Sequence, residues 1–166
     1  MVVSNTSPIL YLAKLGKLEL LKKLFNKVFI PREVYKEAVL NGREKGFVDA
    51  TLIERAIKDH WIEVKDVVSN KNISIYSEID VGEQEAIELA KNLNSKLLLI
   101  DDAPARVIAE SFGLSVKGTL FVLMKAYSKK IINKIETKNL LSRLISLGFR
   151  ISPELYGKIL DEIDKI

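Results

Sequence analysis

An α/β fold, with a parallel sheet covered by helices on both faces, is what the sequence predicts, and three observations predict it. Short apolar runs of strand length, such as Val2-Val3, Val28-Phe29-Ile30 and Leu97-Leu98-Leu99-Ile100, alternate with segments of helical period. Acidic or amide residues recur at Asn5, Glu37, Glu83 and Asp101, where an α/β chain points side chains out of the carboxyl end of its sheet. The 166 residues, 48% of them hydrophobic, suffice for one sizeable core and are short for two, so a single domain is expected.

Taken in order, Val2-Val3 is a short buried strand, and Ser7-Pro8 reads as a helix cap followed by proline at the first helical position. Ile9, Leu10, Leu12, Ala13 and Leu15 give that helix an apolar face that stops at Gly16. A second helix, Leu18 to Leu24, leads into the strand Val28-Phe29-Ile30, which Pro31 ends. Pro31 then opens a helix carrying Val34, Ala38 and Val39, and Asn41-Gly42 is expected to break it. Asn41 to Gly46 reads as the most loop-like stretch of the chain. A helix from Val48 to Lys58 is followed by the alternating strand Trp61-Ile62-Glu63-Val64. Asp66 to Tyr76 has no clean period and reads as loop or a short edge strand. Helix Gly82 to Leu93, strand Lys96 to Ile100, helix Pro104 to Phe112 and strand Leu114 to Val116 follow, with Gly113 closing the helix before that last strand. Helices over Leu120 to Tyr127, Leu140 to Leu147 and Pro153 to the end complete the chain, with no repeat or linker.

Composition narrows the function. Without cysteine there is no disulfide, thiolate nucleophile or zinc knuckle, and His60 as the lone histidine excludes a multi-histidine metal site. No apolar run approaches the ~20 residues that span a bilayer, and no signal-type segment opens the chain, so a cytoplasmic protein away from membranes is expected. The GxxxxGK[ST] and GxGxxG phosphate loops are missing. Net charge is only +4, but between Lys117 and Arg150 eight basic residues stand against the single acid Glu136. That stretch is either a solvated lysine face or a surface that tracks phosphates.

Four oxygen donors converging at Asn5, Glu37, Glu83 and Asp101 would suit a hard cation such as Mg²⁺ or Mn²⁺. Each has a plainer reading. Asp80-Val81-Gly82-Glu83 has the form of a helix capping box, in which Glu83 returns a hydrogen bond to the Asp80 backbone. Glu85 and Glu88, on the same helix, are expected to be solvated. Asp102 is well placed to cap the helix that starts at Ala103-Pro104, whereas Asp101 has no such local duty and is the better metal candidate. Glu33 and Glu37, four apart on one helix face, repel unless a cation, Lys36 or Arg32 relieves them. Asn5, before Thr6-Ser7, could simply build the turn. His60-Trp61 reads as packing.

Together these segments resemble the PIN domain, and within it prokaryotic PIN-domain nucleic-acid-binding proteins related to VapC-type toxins. The resemblance is carried by Val3-Ser4-Asn5-Thr6-Ser7-Pro8, Ile30-Pro31-Arg32-Glu33-Val34-Tyr35-Lys36-Glu37, Gly82-Glu83-Gln84-Glu85-Ala86 and Leu98-Leu99-Ile100-Asp101-Asp102-Ala103-Pro104. Gly113 to Thr119 and Leu147 to Tyr156 continue it, so that it covers nearly the whole chain. It implies a three-layer fold, a parallel five-stranded sheet between helices, over about residues 1–128, with a C-terminal helical extension over about 129–166. It also implies an acidic cluster binding Mg²⁺ or Mn²⁺, with the family's four acids falling on Asn5, Glu37, Glu83 and Asp101, and with Asp102 as an auxiliary. Ser7 matches the hydroxyl that follows the first acid, and Arg106 and Lys117 are expected to help admit a nucleic-acid backbone. VapC-type members are single-strand endoribonucleases, often dimeric and held by an antitoxin, which makes single-stranded RNA, an antitoxin and a second copy the expected partners.

The departure is at position 5, where Asn replaces a carboxylate, although Asn is common there in this group. The leading expectation is a metal-dependent endoribonuclease, with Glu37, Glu83, Asp101 and Asp102 at the metal and Asn5 a neutral contact. A PIN-fold module that binds RNA or protein without cleaving is the alternative. A phosphoacceptor receiver is a third, disfavoured because its acidic pair follows the first strand rather than a late one.

Overall fold

The structure, a computed structural model, describes residues 1–68 and 78–165. Five short strands, β1 (Val2–Ser4), β2 (Val28–Pro31), β3 (Ile62–Lys65), β4 (Leu97–Leu99) and β5 (Val116–Lys117), form one sheet in the order β3-β2-β1-β4-β5. Every pairing is parallel: Val3 stands opposite Phe29, Ser4 opposite Leu99, Val64 opposite Ile30 and Lys117 opposite Leu99. Parallel neighbours need a crossover, and helices supply it. They are α1 (Thr6–Lys14), α2 (Glu19–Phe25), α3 (Arg32–Tyr35), α4 (Asn41–Glu44), α5 (Val48–Lys58), α6 (Val81–Asn92) and α7 (Ala103–Ser111). With helices on both sides of the sheet, this is the expected PIN-like three-layer α/β arrangement.

The three central strands β1, β2 and β4 are mostly buried along their length, which explains why they read as apolar runs, whereas the edge strands β3 and β5 are partly exposed. Val3, Leu98, Ile100 and Val116 pack against Ala86, Ile87, Leu89 and Ala90 of α6 and Ala105, Ile108 and Ala109 of α7. Ile9 and Leu12 of α1, Leu21 of α2 and Ile53 of α5 are equally inaccessible to solvent. Each such side chain contributes about 1.5–3 kcal/mol relative to leaving it in water.

Contacts divide the chain into two compact units, Met1–Thr119 and Leu120–Ile166. The sheet lies in the first. The second consists of helices: α8 (Thr119–Ser128, all but its first residue), α9 (Lys134–Ser146) and α10 (Pro153–Lys165). Within it Leu140, Leu141, Leu144, Ile159 and Ile163 are buried, the Tyr127 hydroxyl donates to the Ile163 carbonyl at 2.9 Å, and Lys138 pairs with Asp164 at 2.8 Å. Among the described residues no helix is long and apolar enough to cross a membrane.

Several boundaries differ from the sequence expectation. The first helix begins at Thr6, with Asn5 rather than Ser7 at the extended position before it, and Pro8 stands inside the first turn. First-turn N–H groups have no helical partner, so proline costs nothing there. Asn41-Gly42 does not break the third helix. The chain runs from α3 through a π-helical turn (Lys36–Leu40) into α4, because Gly42 is a contact glycine: a Cβ there would lie 2.8 Å from that of Ala50. The reversal comes at Gly46, whose φ of +70° suits glycine. The α9 helix starts at Lys134, six residues before the apolar stretch that signalled it, capped by the Asn133 side chain. The last strand is shifted to Val116–Lys117. In the stretch with no clean period, 66–68 is irregular and 69–76 lies outside the described residues.

Candidate metal centre

The strand order creates the site. The chain leaves the central strand β1 to one side for β2 and β3, then crosses back to place β4 and β5 on the other. At such a switch point the crossovers diverge and leave a crevice outside the carboxyl ends of the two strands. Here those strands are β1 and β4. Asn5 follows the first directly, and Asp101 stands two residues past the second. The Asn5 backbone N–H donates to the Leu99 carbonyl at 2.8 Å, which fixes it beside β4. Its side chain is 3% exposed, and among the described residues Oδ1 is the only buried side-chain polar atom without a hydrogen-bond partner. A buried acceptor left unmet costs on the order of 1–3 kcal/mol, so its retention asks for a reason.

Asp101 is held by Thr119, the first residue of α8, two residues past the end of β5. Its Oδ1 accepts from the Thr119 backbone N–H at 2.7 Å and its Oδ2 from the Thr119 hydroxyl at 2.6 Å. Asp101 caps no helix, but both its oxygens have a donor 18 residues away in the chain. Gly118 makes the approach possible, since a Cβ there would lie 2.5 Å from Oδ1. Burial raises the Asp101 pKa, opposed by the two Thr119 bonds and then by the Arg106 guanidinium. Tyr11 senses this carboxylate in turn: burial, then the Asp101 charge, raises its pKa. Arg106 is therefore where the sequence put it, beside an acid. Lys117 stands at the exposed end of β5, its carbonyl accepting from the Ile100 N–H at 2.8 Å.

Glu37 and Glu83 form the other part of the site. Glu37 lies in the π-helical turn, a distortion often found at functional positions. Thr6, the residue after Asn5, donates its hydroxyl to Glu37 Oε2. Gly82 lies against the same carboxylate; a Cβ there would stand 2.6 Å from Oε1. Burial raises the Glu37 pKa against the Thr6 bond, with Asp80, Glu33 and Glu85 adding to the rise. Glu83 completes the capping box read from sequence. Its N–H donates to Asp80 Oδ1 at 2.8 Å, and its Oε2 accepts from the Asp80 N–H at 3.0 Å. At 8% exposure its pKa is pushed up to about 7, first by burial, then, against the backbone bond, by Asp80, Asp102 and Glu37. Asp102 caps α7, accepting from the Ala105 N–H at 3.0 Å. Ser7, partly buried, is the second residue of α1.

Two solvated expectations give way here. Glu85 accepts from the Glu33 backbone N–H at 3.0 Å, so it caps α3 from α6, and Glu88 is 6% exposed. Lys36 does relieve Glu33, at 3.0 Å. Sequence reasoning passed over Thr6, Thr119, Gly82 and Gly118. Two hydroxyl donors and two missing side chains shape the cluster, and only the tertiary contacts single them out.

The donor set is oxygen alone, which suits a hard divalent cation. Glu37 and Glu83 are close enough to act on each other's charge, Asp101 is held by Thr119, and Asn5 lies between the β4 backbone and Thr6, the partner of Glu37. Among the described residues no three His, Cys, Asp or Glu side chains stand close enough to share one ion. An ion there would draw on at most two carboxylates, with the Asn5 carbonyl and water filling the shell, a habit common for Mg²⁺. The unmet Asn5 Oδ1 and the carboxyl groups held above their ordinary pKa are what such an ion would relieve, so the residues fit it in kind. A larger cavity, about 420 Å³, lies near Gly16, Leu18 and Trp61, at the amino ends of the strands, with only the exposed acids Glu19 and Asp59. It is remote from the crevice that parallel sheets use.

No curated protein matches the chain. A family model, DUF3368, described as a PIN domain, matches residues 1–165. The match spans both units, and PIN domains form a nuclease-type superfamily that generally uses divalent metals. The chain whose switch point holds Asn5 and Asp101, flanked by Glu37 and Glu83, belongs to this PIN-domain family.

Proposed function

We propose that the chain is a metal-dependent endoribonuclease acting on single-stranded RNA, with Mg²⁺ or Mn²⁺ held among Glu37, Glu83 and Asp101, no more than two of these carboxylates on one ion, and with Asn5 as a neutral ligand. The observation that carries this reading is Asn5 Oδ1, a buried acceptor at the switch point that has no donor among the described residues. When bound, the cation would acidify a water and offset charge on a phosphodiester. The chain's own residues have separate tasks. Thr119 and Thr6 orient the carboxylates of Asp101 and Glu37. Burial and the neighbouring acids raise the Glu83 pKa to about 7, so its carboxyl group can hold a proton before a cation binds and release it on binding. Arg106 counters the acids so that a phosphate is admitted, with Lys117 and Ser7 as further backbone contacts. Asp102 caps α7 and adds negative charge beside Glu83. The setting we propose is the toxin of a toxin–antitoxin pair, dimeric and cytoplasmic; expression alone should arrest growth, and the product of an adjacent gene should relieve the arrest.

A binding module that does not cleave is the second reading, favoured by the neutral Asn5 and by the two donors already on Asp101. Titration calorimetry with Mn²⁺, with Asp101→Ala as control, and cleavage of a labelled single-stranded RNA separate the two. Binding lost in the variant together with Mn²⁺-dependent cleavage is the expected result. Silence in both assays up to millimolar Mn²⁺ would remove the enzyme reading.

A further inference from the structure

We propose that the cavity between α1, α4 and the start of α5 is a nucleotide subsite, seating one base of a single-stranded nucleic acid against Phe47 while Lys14 and Lys45 contact its phosphates. Its position next to a scissile phosphate rests on the nuclease reading; the binding itself does not.

The cavity holds about 160 Å³ and shares Glu37 with the candidate centre: the carboxylate that meets Thr6 and Gly82 also lines this space. The shared residue puts the cavity beside the candidate centre, within reach of a nucleotide next to a phosphate bound there. Phe47 forms one wall and is 50% exposed, a cost for a large apolar ring unless something covers it. The ring is held by a built turn rather than left on a loose loop. The Phe47 N–H donates to the Gly42 carbonyl at 2.9 Å, the Gly46 N–H to that of Arg43 at 3.0 Å, and Gly42 abuts Ala50. An aromatic face fixed in this way is a stacking platform for a base.

The charges are sorted by depth. Lys14 and Lys45 are exposed at the rim, and among the described residues neither has an acidic partner, although Lys27, Lys36, Lys58 and Lys65 all do. Glu37 and Asp49 are partly buried. Acids inside repel a phosphate and accept hydrogen bonds from a base edge, where the Asn41 amide can both donate and accept. Cations outside attract the backbone. That order fits a base pointing in and phosphates running past.

The test is fluorescence anisotropy of labelled ten-nucleotide RNA and DNA strands with the full chain, in EDTA and again in Ca²⁺. Phe47→Ala should weaken binding about 5- to 150-fold, the range expected for one stacked base. Phe47→Tyr should stay within about threefold, because it keeps the ring. Lys14→Ala with Lys45→Ala should flatten the slope of log affinity against log salt by about 1.4, or 0.7 per phosphate contact. Stronger binding of the RNA arm would identify RNA as the source; equal binding assigns the site to either strand chemistry. Wild-type affinity and salt slope in these variants would overturn the subsite while leaving Mn²⁺-dependent cleavage by the parent chain to support the nuclease. No binding by the parent chain in either buffer also overturns it. Phe47-sensitive binding without any cleavage would keep the subsite and remove the nuclease.

Discussion

Thr119 acts on the candidate centre without belonging to it, which makes it the most direct probe at the scale of a residue. Thr119→Val keeps the shape and the backbone bond to Asp101 Oδ1 but removes the hydroxyl from Oδ2. Loss of such an outer partner typically lowers metal affinity about 10- to 100-fold, and calorimetry with Mn²⁺ should show a drop of that size with the fold retained. Asn5→Asp tests the opposite change. It adds a negative charge at a site 3% exposed, so the metal-free protein should lose on the order of 2 kcal/mol in urea unfolding. The same variant should bind Mn²⁺ more tightly and gain cleavage, because charge count tunes affinity for hard cations. The sequence left Glu83 between capping and ligation, and the structure shows why these need not exclude each other. The box engages Oε2. Asp101 is the contrasting case: its partner Thr119 gives no local signal, since only the pairing of β4 with β5 brings the two together.

At the scale of elements, the helix α6 does two jobs from one end. Its first turn carries Glu83, and Gly82 leaves the gap that the Glu37 carboxylate fills from the π-helical turn. Gly82→Ala places a methyl 2.6 Å from Glu37 Oε1, the far end of a flexible side chain. The helix should therefore tolerate the change while Glu37 swings away. Melting temperature is expected to change little and Mn²⁺ affinity to fall; an unchanged affinity would show that Glu37 is no ligand. Most elements were legible because their signals are local: apolar period, the Asp80 and Asp102 caps, Gly16 and Gly113 past helix ends. The third helix was misread at Asn41-Gly42 because glycine has two uses, as a breaker and as a site of close approach. Only the presence of Ala50 decides between them.

For the whole molecule, the acidic crevice sets how stability depends on pH. Glu83 titrates near 7 when folded and near its model-peptide value, about 4.3, when unfolded. Between those values the folded chain keeps a proton that the unfolded chain has released, so the metal-free protein should lose stability as pH rises from about 4.5 to 7 and level off above. Glu37 and Asp101, both raised, act in the same direction. Urea unfolding in EDTA should give a lower stability at pH 7.5 than at pH 5, and Glu83→Gln should remove most of the difference. Saturating Mn²⁺ should reverse it by favouring the ionised carboxylates.

What the sequence determined by itself is what short-range physics encodes: the alternation of strands and helices, the capping groups, and the acids lying just past apolar runs. The family resemblance added the five parallel strands. Strand order, the pairing of Thr119 with Asp101, the closeness of Glu37 to Gly82 and the unmet oxygen of Asn5 were decided only by the tertiary structure. Each depends on which crossover packs beside which, and residues brought together from 18 to 45 positions apart leave no periodic trace in the chain.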